Sequence, residues 1–247
     1  MKPLPLLIET AFGRHAESYE CAACVQTWLA DWLAEWLEPA WPPAAEVIEV
    51  GAGTGLFTRK LVERGNPVAM DISEAMVRQG RQRVHGARWL RGDALELPPS
   101  ACDRLYSSAM LQWVADPVQT MRIWSEALRP GGRMLHGIFI DPTLPELGAL
   151  EPDAVPLRWR TEVEWTDAMR RTGLRVLRSE VRSIETGHPN ALAFLRNLHD
   201  TGATLSRPML RAGRLRVLLR EYDALHRCAD GGVKATWTML RIEASRA

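Results

Sequence analysis

The ten residues EVIEVGAGTG, 46–55, decide how the rest of the chain reads. Val47, Ile48 and Val50, with Ala45 before them, make a short apolar run interrupted by one acid, Glu49. Gly51, Gly53 and Gly55 follow at alternate positions. That order predicts a buried strand running into a side-chain-free turn and then a helix. Backbone N–H groups at such a turn approach a ligand closely, so a nucleotide-like ligand is expected. A dinucleotide turn requires glycine where Leu56 stands, and here Gly55 comes one residue early. Glu49, two residues before the first glycine, repels a pyrophosphate and suits a cation.

Four further signals lie outward from that turn. Asp71 closes a second apolar run, PVAMD, about twenty residues after Gly51, the offset at which an acid accepts hydrogen bonds from a ribose diol. Ser73, rather than Asp71, is the expected N-cap of a helix beginning at Glu74. RWLRGDAL gives a third strand followed by Gly92 and Asp93, and CDRLYSS gives a fourth ending in Ser107 and Ser108. LRPGGRMLHGI places a Pro-Gly-Gly turn between a helix and a fifth strand. Helices are expected over 55–64, 74–84 and 118–128. Strand and helix thus alternate from Val47 to about Ile140, which predicts an α/β fold with a doubly wound, mostly parallel sheet. Ligands of such sheets bind beyond the carboxyl ends of the strands, where Gly51, Asp71, Asp93 and Ser108 all fall.

This ordered set resembles the class I S-adenosylmethionine-dependent methyltransferases, whose donor carries an ammonium and a sulfonium and no phosphate. The resemblance implies a Rossmann-like sheet of seven strands, with S-adenosylmethionine as cofactor and S-adenosylhomocysteine as product. It implies a donor site of Glu49, Gly51, Ala52 and Gly53 at the first turn and Asp71, Ile72 and Met76 at the second. Asp93 is then expected to meet the adenine amino group, with Ala94 offering a backbone N–H and Ser108 alongside.

The 247 residues suffice for one large domain, and a net charge of +1 gives no general pull toward nucleic acid. No run approaches the length of a transmembrane helix. MKPLPLLIET is too short and too broken by Pro3 and Pro5 for a secretory signal, so a cytoplasmic location is expected. Cys21, Cys24, Cys102 and Cys228 are too scattered for a disulfide framework, and the Cys21/Cys24 pair reads as small apolar filler on a helix. The six histidines show no metal spacing, and no metal is expected.

Outside the core, a helix from 15 to about 38 carries Tyr19, Val25, Trp28, Leu29, Trp32, Leu33, Trp36 and Leu37 at helical spacing, ended by Pro39, Pro42 and Pro43. DPTLPELGALEPDAVP, rich in Pro and acid, reads as a linker with one helical turn. Then follow a helix near Glu162 to Thr172, a strand near Leu174 to Val181, a helix started by Pro189, a helix from about Met209 to Leu225, and a last strand, VKATWTMLRI. One methyltransferase domain is expected over 1–247, with a helical cap over 1–40 and a helical substrate-side insertion over 186–230.

Four segments carry a narrower resemblance: AFGRHAESYE (11–20), SSAMLQWVADP (107–117), PTLPELGAL (142–150) and FLRNLHDTGATL (194–205). With the core, they are similar to the malonyl-acyl-carrier-protein O-methyltransferases of biotin synthesis, the BioC family. The implied reaction moves a methyl group from S-adenosylmethionine to the free carboxylate of a malonyl thioester. That carboxylate is ionised at neutral pH, so no general base is required and none is assigned. The resemblance places Tyr19 over the methyl region and Gln112 and Trp113 in the acceptor loop; Arg196 is the candidate for the malonyl carboxylate. An acidic malonyl-acyl carrier protein is the expected partner, meeting Arg207, Arg211, Arg214, Arg216 and Arg220; their alternative reading is a solvated helix face. The chain departs from the family where His199 replaces a usual lysine, where Trp237 replaces a frequent tyrosine, and in CADGGVKATW before the last strand. Three alternatives stand beside this reading: a methyltransferase for a free small acid such as trans-aconitate, a non-catalytic cofactor-binding protein, and a nicotinamide-dependent enzyme opposed by Leu56.

Overall fold

The computed structural model describes residues 4–202, 210–229 and 231–247. The apolar runs form five strands in the expected order: β1 (Val47–Val50), β2 (Val68–Asp71), β3 (Arg88–Arg91), β4 (Cys102–Ser108) and β5 (Leu128–Phe139). Two more follow, β6 (Leu174–His188) and β7 (Val233–Arg246), and all seven make one sheet ordered β3-β2-β1-β4-β5-β7-β6. Strands β1 to β5 are parallel, while β7 runs antiparallel to both β5 and β6. The order reverses between β1 and β4, and the crevice at their carboxyl ends is where such sheets take ligands. The doubly wound, Rossmann-like α/β fold is therefore as the sequence predicts.

Helices cover both faces because neighbouring strand residues alternate sides. Val47, Tyr106 and Leu135 meet Leu33 and Leu37 from the N-terminal region and Phe57 and Leu61 beyond the glycine turn. Ile48, Leu105, Met134 and Ile242 face the other way, toward Met121 and Trp124 of one helix (Pro117–Ala127) and Trp165 and Met169 of another (Glu162–Arg171). Each begins on its own cap: Asp116 accepts from Gln119 N, and Thr161 and Glu164 form a reciprocal capping box.

Several expected boundaries move. The long helix over 15–38 is two pieces preceded by a third: α1 (Leu4–His15), α2 (Tyr19–Ala22) and α3 (Cys24–Ala34). Ala23 breaks it, fully buried at φ −87° and ψ 38°. Apolar spacing continues across the break, so periodicity alone did not show it. Trp28, within that stripe, is 46% exposed rather than core. Cys21 and Cys24 flank the break on its outer side and are exposed, so they are not core filler, whereas Cys102 is buried. Pro5 sits in the first turn of α1, where a missing N–H costs nothing, so it is compatible with a helix start there. The helix expected over 55–64 shrinks to α4 (Thr58–Leu61), since the glycine turn delays its start. The next helix, α5 (Glu74–Arg83), has Ser73 as its N-cap as expected. The helices over Pro117–Ala127 and Glu162–Arg171 are α6 and α8, and α7 (Pro145–Leu150) lies between them as the helical turn of the expected linker. β6 and β7 outrun their expected ends by pairing with each other over their whole length. Between them lie α9 (Ala191–Asp200) and α10 (Ala212–Leu225). Met209, Arg207 and the residues 203–205 of the TGATL stretch lie outside the described residues.

Two of the segments singled out above fasten the fold. In LPEL, Leu144 N donates to Thr236 O, while the buried Glu146 carboxylate accepts from both the backbone N–H and the hydroxyl of Thr236. In the TG turn, a Cβ on Gly202 would come within 3.3 Å of Ala11 O, so the bare Cα lets the end of α9 lie against α1. No described helix is long and apolar enough to cross a membrane.

Candidate functional site

A cavity of about 370 Å³ opens at the β1/β4 reversal, within the range usual for small-molecule sites. Its floor is the glycine turn. Gly51 adopts φ +67°, and a Cβ there would lie 2.3 Å from Met110 Cγ, so both conformation and space demand glycine. Gly53, at φ +56°, would put a Cβ into open space, so its bare backbone faces the cavity.

Three carboxylates line this floor. Glu49 is 1% exposed and accepts one hydrogen bond, from Thr58 Oγ1 at 2.6 Å. Burial pushes its carboxyl up to about 8; the Thr58 hydroxyl opposes that rise and the Asp71 charge adds to it. Asp71 ties the first two turns together, accepting from Gly53 N and Ser73 N, each at 2.8 Å. Burial raises its pKa, and those two backbone N–H groups pull it down. Asp93 Oδ1 accepts from Leu95 N at 2.9 Å, which sets the turn after β3. Ala52, Ile72, Met76, Ala94 and Ser108 also line the cavity, so every residue expected at the donor site is brought to one place.

The roof comes from the N-terminal helices and the loop after β4. Phe12 packs edge-on against Trp113 (centroids 5.3 Å apart) and against Tyr19 (6.2 Å). Tyr19 is buried, and that burial raises its pKa, with the Asp71 and Glu20 charges adding to the shift. Next to it, Glu20 accepts from Thr54 Oγ1 and Arg59 Nη2 and pairs with Arg83 at 3.0 Å. Burial acts to raise the Glu20 pKa, yet the hydrogen bonds from Arg59, Thr54 and Arg83 outweigh it and hold the carboxyl low. This carboxylate clasps α2 to the glycine turn and to α4 and α5. The clasp accounts for the broken helix: a straight rod from 15 to 38 does not bend down over the floor.

Two expected acceptor residues are elsewhere. Gln112 is buried in the turn Leu111–Trp113, where its Nε2 donates to Ala109 O at 2.6 Å, and it does not line the cavity. Arg196 stands exposed on α9, because that helix buries Ala191, Phe194 and Leu198 on its other side. The departures from the family pattern make structural contacts. Trp237 donates its indole N–H to Thr186 Oγ1, and the His199 ring packs edge-on to His15. Residues the sequence reading missed include Ile8 and Phe12 from α1, Thr54, and Gln26 from α3. The AFGRH segment carried a signal for Phe12; nothing singled out Gln26. No Arg, Lys or His lines the cavity among the described residues, and none of their acidic, His and Cys groups cluster as metal ligands.

Comparison with known proteins fits this geometry. Residues 48–136 match the methyltransferase-domain family. The malonyl-acyl-carrier-protein O-methyltransferase of Methylococcus capsulatus is 30% identical over 220 residues, covering 81% of this chain and 78% of the relative. That of Salmonella typhimurium is 30% identical over 237 residues, covering 93% and 88%. Among solved structures, YcgJ of Bacillus subtilis superposes with a TM-score of 0.63 at 16% identity, covering 88% of this chain and 97% of that one, a likeness of fold.

Proposed function

Because the chain belongs to the malonyl-acyl-carrier-protein O-methyltransferase family, and is thereby an S-adenosylmethionine-dependent O-methyltransferase, we propose that it methylates the free carboxylate of a malonyl thioester in biotin synthesis. The observation that carries the reading is a cavity whose charged lining residues, Glu49, Asp71 and Asp93, are all acidic. The cofactor fits that floor. Glu49 is a deeply buried carboxylate with one hydroxyl partner, and an ammonium or sulfonium supplies the positive charge it lacks. Gly51 and Gly53 present bare backbone where side chains would obstruct a ligand.

In this reading Glu49, Gly51, Ala52 and Gly53 hold the amino-acid end, Asp71 with Ile72 and Met76 the ribose, and Asp93 and Ala94 the adenine, with Ser108 at the edge. When bound, the cofactor supplies an electrophilic methyl on a sulfonium. An acceptor carboxylate is already ionised, so the residues around it would have no proton to move. The protein's part is therefore placement and the exclusion of water. Tyr19, Phe12 and Trp113 close an apolar roof over the reacting atoms. Alignment of this kind contributes roughly 7–11 kcal/mol in favourable cases. A dry wall also raises the rate, since anion and sulfonium neutralise each other on the way to product.

The malonyl group is proposed to arrive on an acyl carrier protein. Arg211, Arg214, Arg216 and Arg220 are exposed on or beside α10 and suit an acidic partner, although Arg214 already pairs with Glu151. A free tricarboxylate such as trans-aconitate calls for convergent cations at its carboxylates, and the described cavity wall holds none.

The test is a panel of malonyl-acyl carrier protein, malonyl-coenzyme A and trans-aconitate with isotope-labelled S-adenosylmethionine, read by mass spectrometry. Label on a malonyl thioester as a methyl ester is the expected result. Sound cofactor binding with no label on either thioester overturns the proposal.

A further inference from the structure

Among the described residues lining the cavity, Gln26 alone has a buried side-chain oxygen or nitrogen, its Oε1, without a hydrogen-bond partner. Gln26 lies in the first turn of α3, and the proposed donor contacts, the three carboxylates and the bare glycines of the floor, do not include it. It shares the roof with Tyr19, Phe12 and Trp113. No hydrogen bond within the described residues reaches that oxygen, although most buried polar groups find partners. A half-turn about its last torsion exchanges oxygen for N–H₂, so the group can present a donor to an incoming anion.

We infer that Gln26 positions the acceptor: its carboxamide N–H₂ donates to the malonyl carboxylate oxygen that does not attack. The inference rests on the malonyl-thioester reading above. It also gives chemical sense to a roof without cations. An arginine clamping the carboxylate would withdraw charge from the attacking oxygen and oppose the approaching sulfonium. A neutral amide orients the same group and leaves its charge to be met by the donor alone. Such a contact strengthens binding and alignment of the acceptor and leaves the donor untouched.

The experiment compares wild type with Gln26→Leu and Gln26→Glu, using malonyl-coenzyme A and malonyl-acyl carrier protein. Gln26→Leu is expected to raise the acceptor KM about tenfold or more, with S-adenosylhomocysteine affinity by calorimetry and Tm unchanged. Gln26→Glu sets a second carboxylate against the acceptor, so its kcat/KM falls further than that of Gln26→Leu and recovers as pH is lowered through the glutamate titration. A merely structural role would instead lower Tm and S-adenosylhomocysteine affinity together with activity. An unchanged acceptor KM in both variants, or S-adenosylhomocysteine affinity falling in step with activity, overturns the assignment while leaving the function intact. A wild type that labels neither thioester overturns both.

Discussion

The floor of the site and its roof are built on opposite plans. The floor is backbone and carboxylate at the tips of parallel strands, and its glycines adopt left-handed backbone. The roof is three helical segments and a loop, joined by ring contacts and one clasping acid. A floor of this kind fixes what all members of a fold share, here a cationic donor. A roof of this kind can vary its side chains without disturbing the sheet, and it is the place to look for acceptor choice.

The largest effect should come from breaking the floor. Gly51→Ala meets both a left-handed backbone, costing about 1–2 kcal/mol, and the Met110 side chain. Cofactor affinity by calorimetry should fall about a hundredfold or more. Gly53→Ala, whose Cβ meets no protein atom within 4 Å, should keep its Tm better while still losing affinity.

Next is the Glu49 charge. Glu49→Gln should weaken the cofactor about ten- to a hundredfold, 1.4 kcal/mol being tenfold. In wild type, binding a cation favours the ionised form of a carboxyl that otherwise titrates near 8. Binding should therefore tighten as pH rises toward 8 and release a proton, visible as a buffer-dependent calorimetric enthalpy, and Glu49→Gln should abolish both. Stability of the ligand-free protein runs the opposite way. Its folded state keeps a proton that the unfolded chain loses above the ordinary value of 4.5, so this group makes Tm decline between about 4.5 and 8.

A smaller change is expected at the roof. Glu20→Ala releases Thr54, Arg59 and Arg83 together, and should raise the KM of donor and acceptor alike by about three- to tenfold, with a few degrees lost in Tm. If only the acceptor KM moves, floor and roof are less connected than the clasp implies. Smallest is the outer surface. Reversing Arg211 and Arg214 to glutamate should lower kcat/KM for malonyl-acyl carrier protein about threefold more than for malonyl-coenzyme A, an effect shrinking with salt. Equal loss on both substrates removes the docking role.

The same division explains what could be read in the chain. The strands, the glycine turn, Asp71, Ser73 as cap and Asp93 were legible because each is a local device: a short apolar run, a residue without Cβ, an acid at a strand tip. The roof was not. Apolar spacing carries through Ala23 unbroken, so the bend that brings Tyr19 and Gln26 over the cavity left no trace in periodicity. Arg196 carries the charge an acceptor carboxylate calls for, yet Phe194 and Leu198 decide which way α9 faces. Gln112 stood beside Trp113 in sequence, but its amide closes its own turn instead. The LPEL and TG segments were legible as a signature while their job, pinning β7 and seating α9 on α1, depends on contacts far apart in the chain.

One carboxylate, that of Glu20, fastens α2 to Thr54 in the middle of the glycine turn. A ligand that settles that turn therefore steadies the tyrosine above it, and thermodynamic reciprocity demands that whatever grips the tyrosine return the favour in equal measure. The two substrates of this enzyme should consequently report on each other: the dissociation constant of either, measured with and without a dead-end analogue of the other, should shift by one and the same ratio.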